Sequence, residues 1–348
     1  MASGTGFKRA LCRSLVVGGA DRLLRYINRH KLVAVMYHGV TRRSYDPPVW
    51  TQLPVSVFRA QLEFLKAHYT IIPLDRLIDA IRGGASLPPR AALLTFDDGL
   101  MNNYTVAFPL LKELGIPATI FLTSDYIGTP KIFWFDELYL LLSHLHRQGG
   151  QISDPGLSLG DDIPAVPKGE FPYYRVVNWM KRLPAGRRHD VLERLRQRVS
   201  FDAAPYREDF CPLGWDEVRA MDASGLIDFG AHTASHEILT NLDEAGLRRE
   251  VLGSRETIEK QLGRPVLSFC YPNGRPGNDF TRVHEEFLAQ NGFICAFSTR
   301  NGLCGCGEET FAMRRIPVGN DGTSESDYFR LNTAGALDIA RRWGLAGK

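Results

Sequence analysis

The sequence predicts an α/β fold in which parallel strands close into a barrel, with a helical insertion after the third predicted strand. Short apolar runs alternate with stretches of helical period along most of the chain, which is typical of strands joined by helical crossovers. So many alternating units favour a closed barrel over an open sheet. The residues that stand out for chemistry come directly after predicted strands, where barrels place their catalytic groups.

The elements follow from local patterns. Strands are predicted at residues 32–38, 91–96, 118–123, 226–230, 266–271 and 294–298, each an apolar run of four to eight residues. Helices are predicted at residues 55–69, 74–82, 103–114, 215–223, 244–262 and 280–290, where apolar residues recur at helical spacing. Gly115 and Pro117 mark one helix end clearly.

The alternation fails between about residues 124 and 211. Helices are predicted there at residues 134–146, 174–180 and 187–199, with a loop rich in Gly, Pro and Asp at 149–171. We interpret this region as a helical insertion beside the end of the barrel that carries the candidate residues. Trp134, Phe135 and Asp136 either line a groove, since aromatic faces stack on sugar rings, or form an edge of the core.

Composition limits the class of protein. The chain has 348 residues, of which 44% are hydrophobic and 23% charged, as in ordinary soluble globular proteins. A net charge of +3 is too small to indicate a nucleic-acid partner. Six cysteines without a C-x-x-C pair favour reduced thiols in a cytosolic protein over a disulfide framework.

The first 31 residues form a basic segment with seven Lys and Arg residues against one acid, Asp21. Leucines at partly helical spacing predict a helical segment, and neither a long apolar core nor a small-residue cleavage site supports a secretory signal. The segment either lies on an anionic membrane surface or packs on the domain with a solvated basic face, and we favour packing. The expected location is cytoplasmic, with peripheral membrane contact as the alternative. A barrel over residues 32–320 and a helical tail over 321–348 complete the predicted organisation.

The first motif is Thr95-Phe96-Asp97-Asp98-Gly99, at the end of a buried strand. Neighbouring side chains of a strand point to opposite faces, so the two carboxylates can do different work at one strand end. Glycine after them permits a sharp turn or the close approach of a ligand. By itself this pattern is more often a simple turn.

The second motif is His232-Thr233-Ala234-Ser235-His236, after another apolar run. Two histidines four residues apart lie on one face of a helical turn, a good geometry for gripping one divalent metal ion. Together with a carboxylate from the first motif they would form an open metal site of the catalytic kind.

These two motifs, with Phe269-Cys270-Tyr271-Pro272-Asn273-Gly274, resemble those of the polysaccharide deacetylases, or carbohydrate esterase family 4. The resemblance extends from about residue 32 to residue 318 outside the insertion. It implies a distorted (β/α) barrel of about seven parallel strands. It also implies a hydrolase of linear amides that removes N-acetyl groups from amino sugars of a polysaccharide, oligosaccharide or lipid-linked glycan. A non-catalytic glycan-binding protein and a deacylase of another small amide or ester remain as alternatives.

The resemblance also implies roles for individual residues. Asp98, His232 and His236 would bind a divalent metal ion, with zinc favoured by two imidazoles and one carboxylate. Asp97 would act as general base. The backbone N–H of Asn273 would donate to the oxyanion of the tetrahedral intermediate.

The sequence departs from the family pattern at two points. Many members carry an arginine that orients the base where this chain has Cys270; Arg275, Arg314 or Arg315 could replace it, and Arg315 is the preferred candidate. The family also supplies a general-acid histidine near its C-terminal end, whereas the last histidine here is His284, inside a predicted helix. Either Asp97 passes its proton to the leaving amine or His38 contributes from the first strand, where we expect an orienting role.

Overall fold

The computed structural model describes residues 2–152, 166–167, 170–199, 202–305 and 309–342. Most of the predicted loop at 149–171 and the last residues of the predicted tail lie outside this part of the chain. Among the described residues, no helix combines the length and apolar character needed to cross a bilayer.

The strands alternate with helices as predicted. They are β1 (Val33–Tyr37), β2 (Gly39–Thr41), β3 (Gln52–Pro54), β4 (Thr70–Ile71), β5 (Ala91–Phe96), β6 (Ala118–Leu122), β7 (Ile227–Ala231), β8 (Ser268–Cys270), β9 (Cys295–Asn301) and β10 (Met313–Pro317). The α-helices are α1 (Ala2–Val17), α2 (Ala20–Ile27), α3 (Val55–His68), α4 (Leu74–Ile81), α5 (Phe108–Leu114), α6 (Trp134–Arg147), α7 (Tyr173–Met180), α8 (Ala185–Arg198), α9 (Arg207–Phe210), α10 (Trp215–Asp222), α11 (Glu244–Arg248), α12 (Ser254–Leu262), α13 (Arg282–Gln290), α14 (Ser326–Thr333) and α15 (Ala336–Arg342).

Seven strands close into a barrel. The order is β1, β10, β9, β8, β7, β6 and β5, each parallel to its neighbours, and β5 pairs back with β1. The short strand β4 pairs with the first two residues of β5, and β2 and β3 form a separate sheet. The prediction of a parallel (β/α) barrel of about seven strands is confirmed.

The strands are buried on both faces, as expected where helices surround a parallel sheet. In β1, Val33, Val35 and Tyr37 belong to the large core shared with the outer helices. A second apolar cluster takes alternate residues from six barrel strands, such as Ala34 and Met313, together with residues of α4, and its strand residues fill the barrel interior. Arg315 follows Met313 by two residues, so its side chain also faces the interior.

Two details differ from the sequence prediction. The strand β10 was not predicted, nor were the short strands β2, β3 and β4. The predicted helix 244–262 contains a π-helical segment, Arg249–Gly253, between α11 and α12. The basic N-terminal segment forms the helices α1 and α2, which are separated by a turn at Gly19 with a φ of 79°; the pair Gly18-Gly19 marks this break in the sequence.

The insertion has a core of its own. Leucines of α6 pack against α7 and α8, and Val49 from the segment between β2 and β3 joins the same cluster. Asp209 of α9 ties the end of the insertion to the barrel, since it accepts hydrogen bonds from Tyr45 and Asn102. The insertion is thereby fixed beside the carboxyl ends of the strands.

Candidate active site

The candidate residues meet at the carboxyl ends of the barrel strands. Asp97 and Asp98 follow β5, His232 follows β7, and His38 follows β1. The N–H of Asp97 donates to the carbonyl of Tyr37 and that of His232 to Leu122, which continues the strand ladders by one residue. This end of a barrel is the one that carries catalytic groups in enzymes of this architecture.

The two aspartates separate because the chain turns. The strand ends at Phe96, and Asp98 has a left-handed backbone with a φ of 74°. Gly99 also has a positive φ, 73°, and a Cβ there would lie 2.7 Å from Cδ2 of Leu122. The predicted division of the two carboxylates is present, but it arises from this turn and not from strand alternation.

Asp98, His232 and His236 form a buried cluster with one carboxylate oxygen at its centre. Oδ1 of Asp98 lies 3.3 Å from Nε2 of His236 and 3.5 Å from Nε2 of His232. The expectation of a helical turn is wrong: residues 232–236 form a loop in which Thr233 and His236 have positive φ values. Sequence spacing alone could not show this, because four-residue spacing suits a helix and many loops.

A buried glutamate that sequence reasoning missed supports this loop. Glu250 accepts hydrogen bonds from the N–H and the hydroxyl of Ser235, both at 2.8 Å. Its side chain is fully buried in the π-helical segment. Nothing in the local sequence distinguishes it from a solvated helix glutamate.

The cluster fits a divalent metal ion. The imidazole of His232 donates from Nδ1 to the carbonyl of Cys270 at 2.7 Å, so Nε2, which faces Asp98, would be the ligand atom toward a metal ion. No described residue hydrogen-bonds to Oδ1 of Asp98, although this oxygen is buried. Two imidazoles and one carboxylate with room for further ligands match the donor set of catalytic zinc.

Ligand atoms of Asp97, His232 and Cys270 also lie close together. The carboxylate of Asp97 is already held by two donors of an arginine, and the thiol of Cys270 contacts Asp97 at 3.5 Å. The first cluster is therefore the better metal site.

Asp97 forms a buried, bidentate ion pair with Arg315. The guanidinium donates to Oδ1 at 2.6 Å and to Oδ2 at 2.8 Å. Its remaining donors go to the hydroxyl of Thr95, the carbonyl of Ser298 and the sulfur of Cys270. Burial raises the pKa of the Asp97 carboxyl, but the charge and hydrogen bonds of Arg315 outweigh it and hold that pKa below its usual value.

The other two arginine candidates lie elsewhere. Arg314 pairs with Asp338 at 3.8 Å, and Arg275 is exposed. His284, the last histidine, lies in the first turn of α13, where its Nδ1 accepts from the N–H of Thr281. Among the three arginines considered, only Arg315 reaches Asp97.

His38 lies close enough to Asp98 and Asp97 for their charges to act on it. Its ring packs edge-on against Trp50 at 5.1 Å, and its Nδ1 is buried without a hydrogen-bond partner among the described residues. Burial lowers the pKa of His38, and the charges of Asp98 and Asp97 oppose this only in part. The imidazole is therefore neutral at pH 7.

Asn273 occupies a tight turn after β8. Its φ is 56°, and its carbonyl accepts from the hydroxyl of Thr299 at 2.6 Å. Within the described part of the chain its N–H donates to no other residue.

The insertion contributes an aromatic wall and a buried acid. The rings of Phe135 and Phe133 lie 5.1 and 5.6 Å from that of His236. Asp136 is fully buried, accepts from Thr51, and its Oδ2 has no partner among the described residues. Burial and the nearby charge of Asp98 raise the pKa of Asp136 well above its usual value. The sequence did not decide whether Asp136 lines a groove or belongs to the edge of the core.

A cavity of about 810 Å³ lies between α6, α8 and the loop that carries His236, and Asp98, His232 and His236 are not part of its lining. Ser235 and Glu237, the neighbours of His236, belong to its lining. Arg188 pairs with Glu237 and lies over the ring of Trp134, 5.3 Å from its centre. The cavity is therefore lined by both polar and aromatic side chains.

A parallel seven-stranded barrel with an Asp-Asp pair and two histidines at its carboxyl end defines a class of hydrolase. The sequence pattern of the polysaccharide deacetylase family matches residues 84–291, more than half of the chain. The chain therefore belongs to the polysaccharide deacetylase family.

Curated relatives match over shorter stretches. The poly-β-1,6-N-acetyl-D-glucosamine N-deacetylase of Escherichia coli K12 is 32% identical over 99 residues, which are 28% of this chain and 15% of that protein. The protein of the same name from Staphylococcus epidermidis is 34% identical over 117 residues, 32% of this chain and 38% of its own length. The matched segments thus span less than half of either relative.

Solved structures share the fold at low identity. IcaB from Ammonifex degensii is 20% identical with a TM-score of 0.57, and the match covers 88% of this chain and 98% of that one. The Streptococcus pyogenes deacetylase PplD, solved in complex with acetate, is 16% identical with a TM-score of 0.56, over 87% and 98% of the two chains.

Proposed function

We propose that this protein is a metal-dependent hydrolase that removes N-acetyl groups from the amino sugars of a polysaccharide, oligosaccharide or lipid-linked glycan. The proposal rests on one observation: a metal site and an ionised carboxylate lie side by side at the end of β5. Asp98 with His232 and His236 offers a metal site, and the adjacent Asp97 is held ionised by Arg315. Membership of the family and the names of the curated relatives support the same reaction.

In this proposal Asp98, His232 and His236 hold a divalent metal ion, with zinc favoured. When bound, the ion supplies Lewis acidity toward a water molecule and toward the acetyl carbonyl oxygen. Asp97 takes the proton of the attacking water as general base. Arg315 keeps that carboxylate ionised and oriented until it acts, since its two hydrogen bonds fix both oxygens.

Asn273 and His38 are proposed to assist the reaction in different ways. The N–H of Asn273 points from a strained turn and is proposed as a donor to the oxyanion. The leaving amine takes its proton from Asp97, which has just accepted one. His38, neutral and beside Trp50, is proposed to position substrate or water, because a neutral imidazole at pH 7 is a poor acid.

The substrate class follows from the surroundings of the cluster. The ring of Phe135, which is partly exposed and lies 5.1 Å from that of His236, suits the face of a sugar ring, and the cavity between α6 and α8 provides space for a neighbouring sugar. The curated relatives from Escherichia coli and Staphylococcus epidermidis are named for poly-β-1,6-N-acetyl-D-glucosamine, and we propose β-linked N-acetylglucosamine polymers as the first substrates to test.

The test is acetate release from N-acetylglucosamine oligomers of β-1,4 and β-1,6 linkage, with and without a chelator. We expect release by the wild-type protein, loss with chelator, and recovery on adding Zn²⁺. Asp97→Asn is the control for contaminating activity. Glycan binding without acetate release would indicate a binding protein, and release only from other amides or esters would indicate a different deacylase.

A further inference from the structure

The exposed apolar surface of this protein is concentrated in its first two helices. Among the described residues, seven of the ten exposed large apolar side chains belong to α1 and α2. We call them the N-terminal face; they are Phe7, Leu11, Leu15, Val17, Leu23, Tyr26 and Ile27. Phe7 is 71% exposed and Val17 81%. Single exposed apolar residues need no explanation, but a cluster of this kind marks an interaction surface.

Helical spacing makes this face continuous within each helix. Phe7, Leu11 and Leu15 are four residues apart and form one stripe along α1. Leu23 and Ile27 form a second stripe on α2, again four residues apart. The opposite sides of the helices are occupied, because α1 and α2 both pack on α14.

The exposed charges that α1 and α2 themselves carry have one sign, although Arg9 is paired with Glu325 from the start of α14. Lys8, Arg9, Arg13 and Arg22 are all exposed. The only acid of the segment, Asp21, is buried between Arg25 and Arg330. An apolar stripe bordered by cations is the composition of helices that lie in the plane of an anionic bilayer.

A second copy of the chain fits this surface less well. A two-fold interface places the same patch on both subunits, so the cations would face one another. Like charges brought together in this way oppose association. Anionic lipid headgroups complement the cations, and acyl chains take the apolar side chains.

Contacts with α14 fix the direction of the segment on the barrel. Arg9 pairs with Glu325 at the start of α14, and the side chain of Asn28 donates to the carbonyl of Ala334 just after its end. The start of α14 follows the carboxyl end of β10, where the candidate active site lies. The Phe7 end of α1 is therefore on the catalytic side of the barrel.

We propose that the N-terminal face binds the surface of an anionic membrane and holds the catalytic end of the barrel close to the lipid headgroups. Phe7, Leu11 and Leu15 enter the interfacial region, and Lys8, Arg13 and Arg22 contact anionic headgroups. This proposal concerns binding and does not depend on the reaction that the protein catalyses.

The experiment is cosedimentation of the 348-residue protein with vesicles of phosphatidylcholine, with or without phosphatidylglycerol. We expect binding only to the anionic vesicles and a loss of binding as salt is added, since screening weakens exposed charges. Leu11→Glu with Leu15→Glu, and separately Lys8→Glu with Arg13→Glu, should each weaken binding at least about tenfold, because each removes one of the two contributions.

Two matched control variants test whether a loss of vesicle binding is specific to the N-terminal face or follows from any negative charge added to the surface. Val283→Glu places a charge at an apolar residue of α13 that is more exposed than Leu11 or Leu15, and Lys260→Glu reverses an exposed cation of α12. Both should bind vesicles like the wild type. Acetate release from a soluble oligomer should be the same in all variants, so failure of the enzymatic proposal would be seen independently.

Three results would overturn the proposal. Wild-type protein that stays in the supernatant with anionic vesicles is one, and equal weakening by the control variants is another. The third is a stable dimer that Leu11→Glu with Leu15→Glu dissociates, which would show that a second copy covers this face.

Discussion

Arg315→Met tests whether the base depends on its buried partner. The guanidinium is fully buried and makes two hydrogen bonds to Asp97, at 2.6 and 2.8 Å. Removing one member of a buried ion pair costs about 3–5 kcal/mol, because the other charge remains in a poorly solvating interior. Ser298 and Thr95 also lose a donor. We expect a loss of about 3 kcal/mol or more in the free energy of unfolding, a large part of the 5–15 kcal/mol typical of a folded protein.

The assay is urea unfolding followed by tryptophan fluorescence, with Arg300→Met as the matched control. Arg300 is an exposed arginine on the neighbouring strand β9, so its loss should change stability by less than about 0.5 kcal/mol. The double variant Asp97→Asn with Arg315→Met also removes the negative charge of Asp97, which Arg315→Met alone leaves buried without a partner. It should be more stable than Arg315→Met alone, although inactive.

The reasoning would be refuted by Arg315→Met losing less than about 1 kcal/mol, well under the range for breaking a buried pair. It would equally be refuted if the two single losses simply added in the double variant, since residues in direct contact couple. Should Arg315→Met fail to fold, recovery of soluble protein in the double variant carries the same information.

Three further variants test separate parts of the site. Asp97→Asn should keep its metal ion while turnover falls by about 10²-fold or more, because it removes the base but no ligand; near-normal acetate release would show that the two aspartates are misassigned. His38→Ala should also keep its metal ion and lose part of its turnover, with a changed alkaline limb in the pH–rate profile; an unchanged rate and profile would exclude His38 from the reaction. Asp136→Asn should become more stable relative to the wild type as the pH rises above about 4. The folded wild-type chain keeps the Asp136 carboxyl, whose pKa is raised, protonated, while the unfolded chain releases this proton. The difference in the free energy of unfolding should therefore grow by at most about 1.4 kcal/mol per pH unit. Thermal unfolding of both proteins at several pH values measures this difference, and a gap that stays constant or closes with rising pH would show that Asp136 is ionised in the folded protein.

The barrel was predictable because parallel strands are short apolar runs with helices between them. The strand β10 escaped prediction since Arg314 and Arg315 interrupt its apolar pattern. An arginine in a barrel interior is stable only with a partner, and here Asp97, directly after β5, is that partner although more than two hundred residues separate the two in sequence. Local sequence patterns give no information about an ion pair between residues so far apart in the chain.

The site itself was predictable only in part. Spacing and residue type indicated Asp98, His232 and His236, but not the loop that joins the histidines. Glu250 and Asp136 became candidates only through burial and partners, since an acid in a helix ordinarily faces water. The insertion was recognised as helical, yet its aromatic contact with His236 depends on packing that the sequence does not display.

Stepwise return of Zn²⁺ to metal-free protein tests the central proposal most directly. Acetate release from an N-acetylglucosamine oligomer should be absent at the start, rise in proportion to added Zn²⁺, and level off at one ion per chain. His236→Ala should neither retain the ion nor release acetate, because three protein ligands leave no redundancy. Full activity in the metal-free protein, or one tightly held ion per chain in purified His236→Ala, would contradict the assignment.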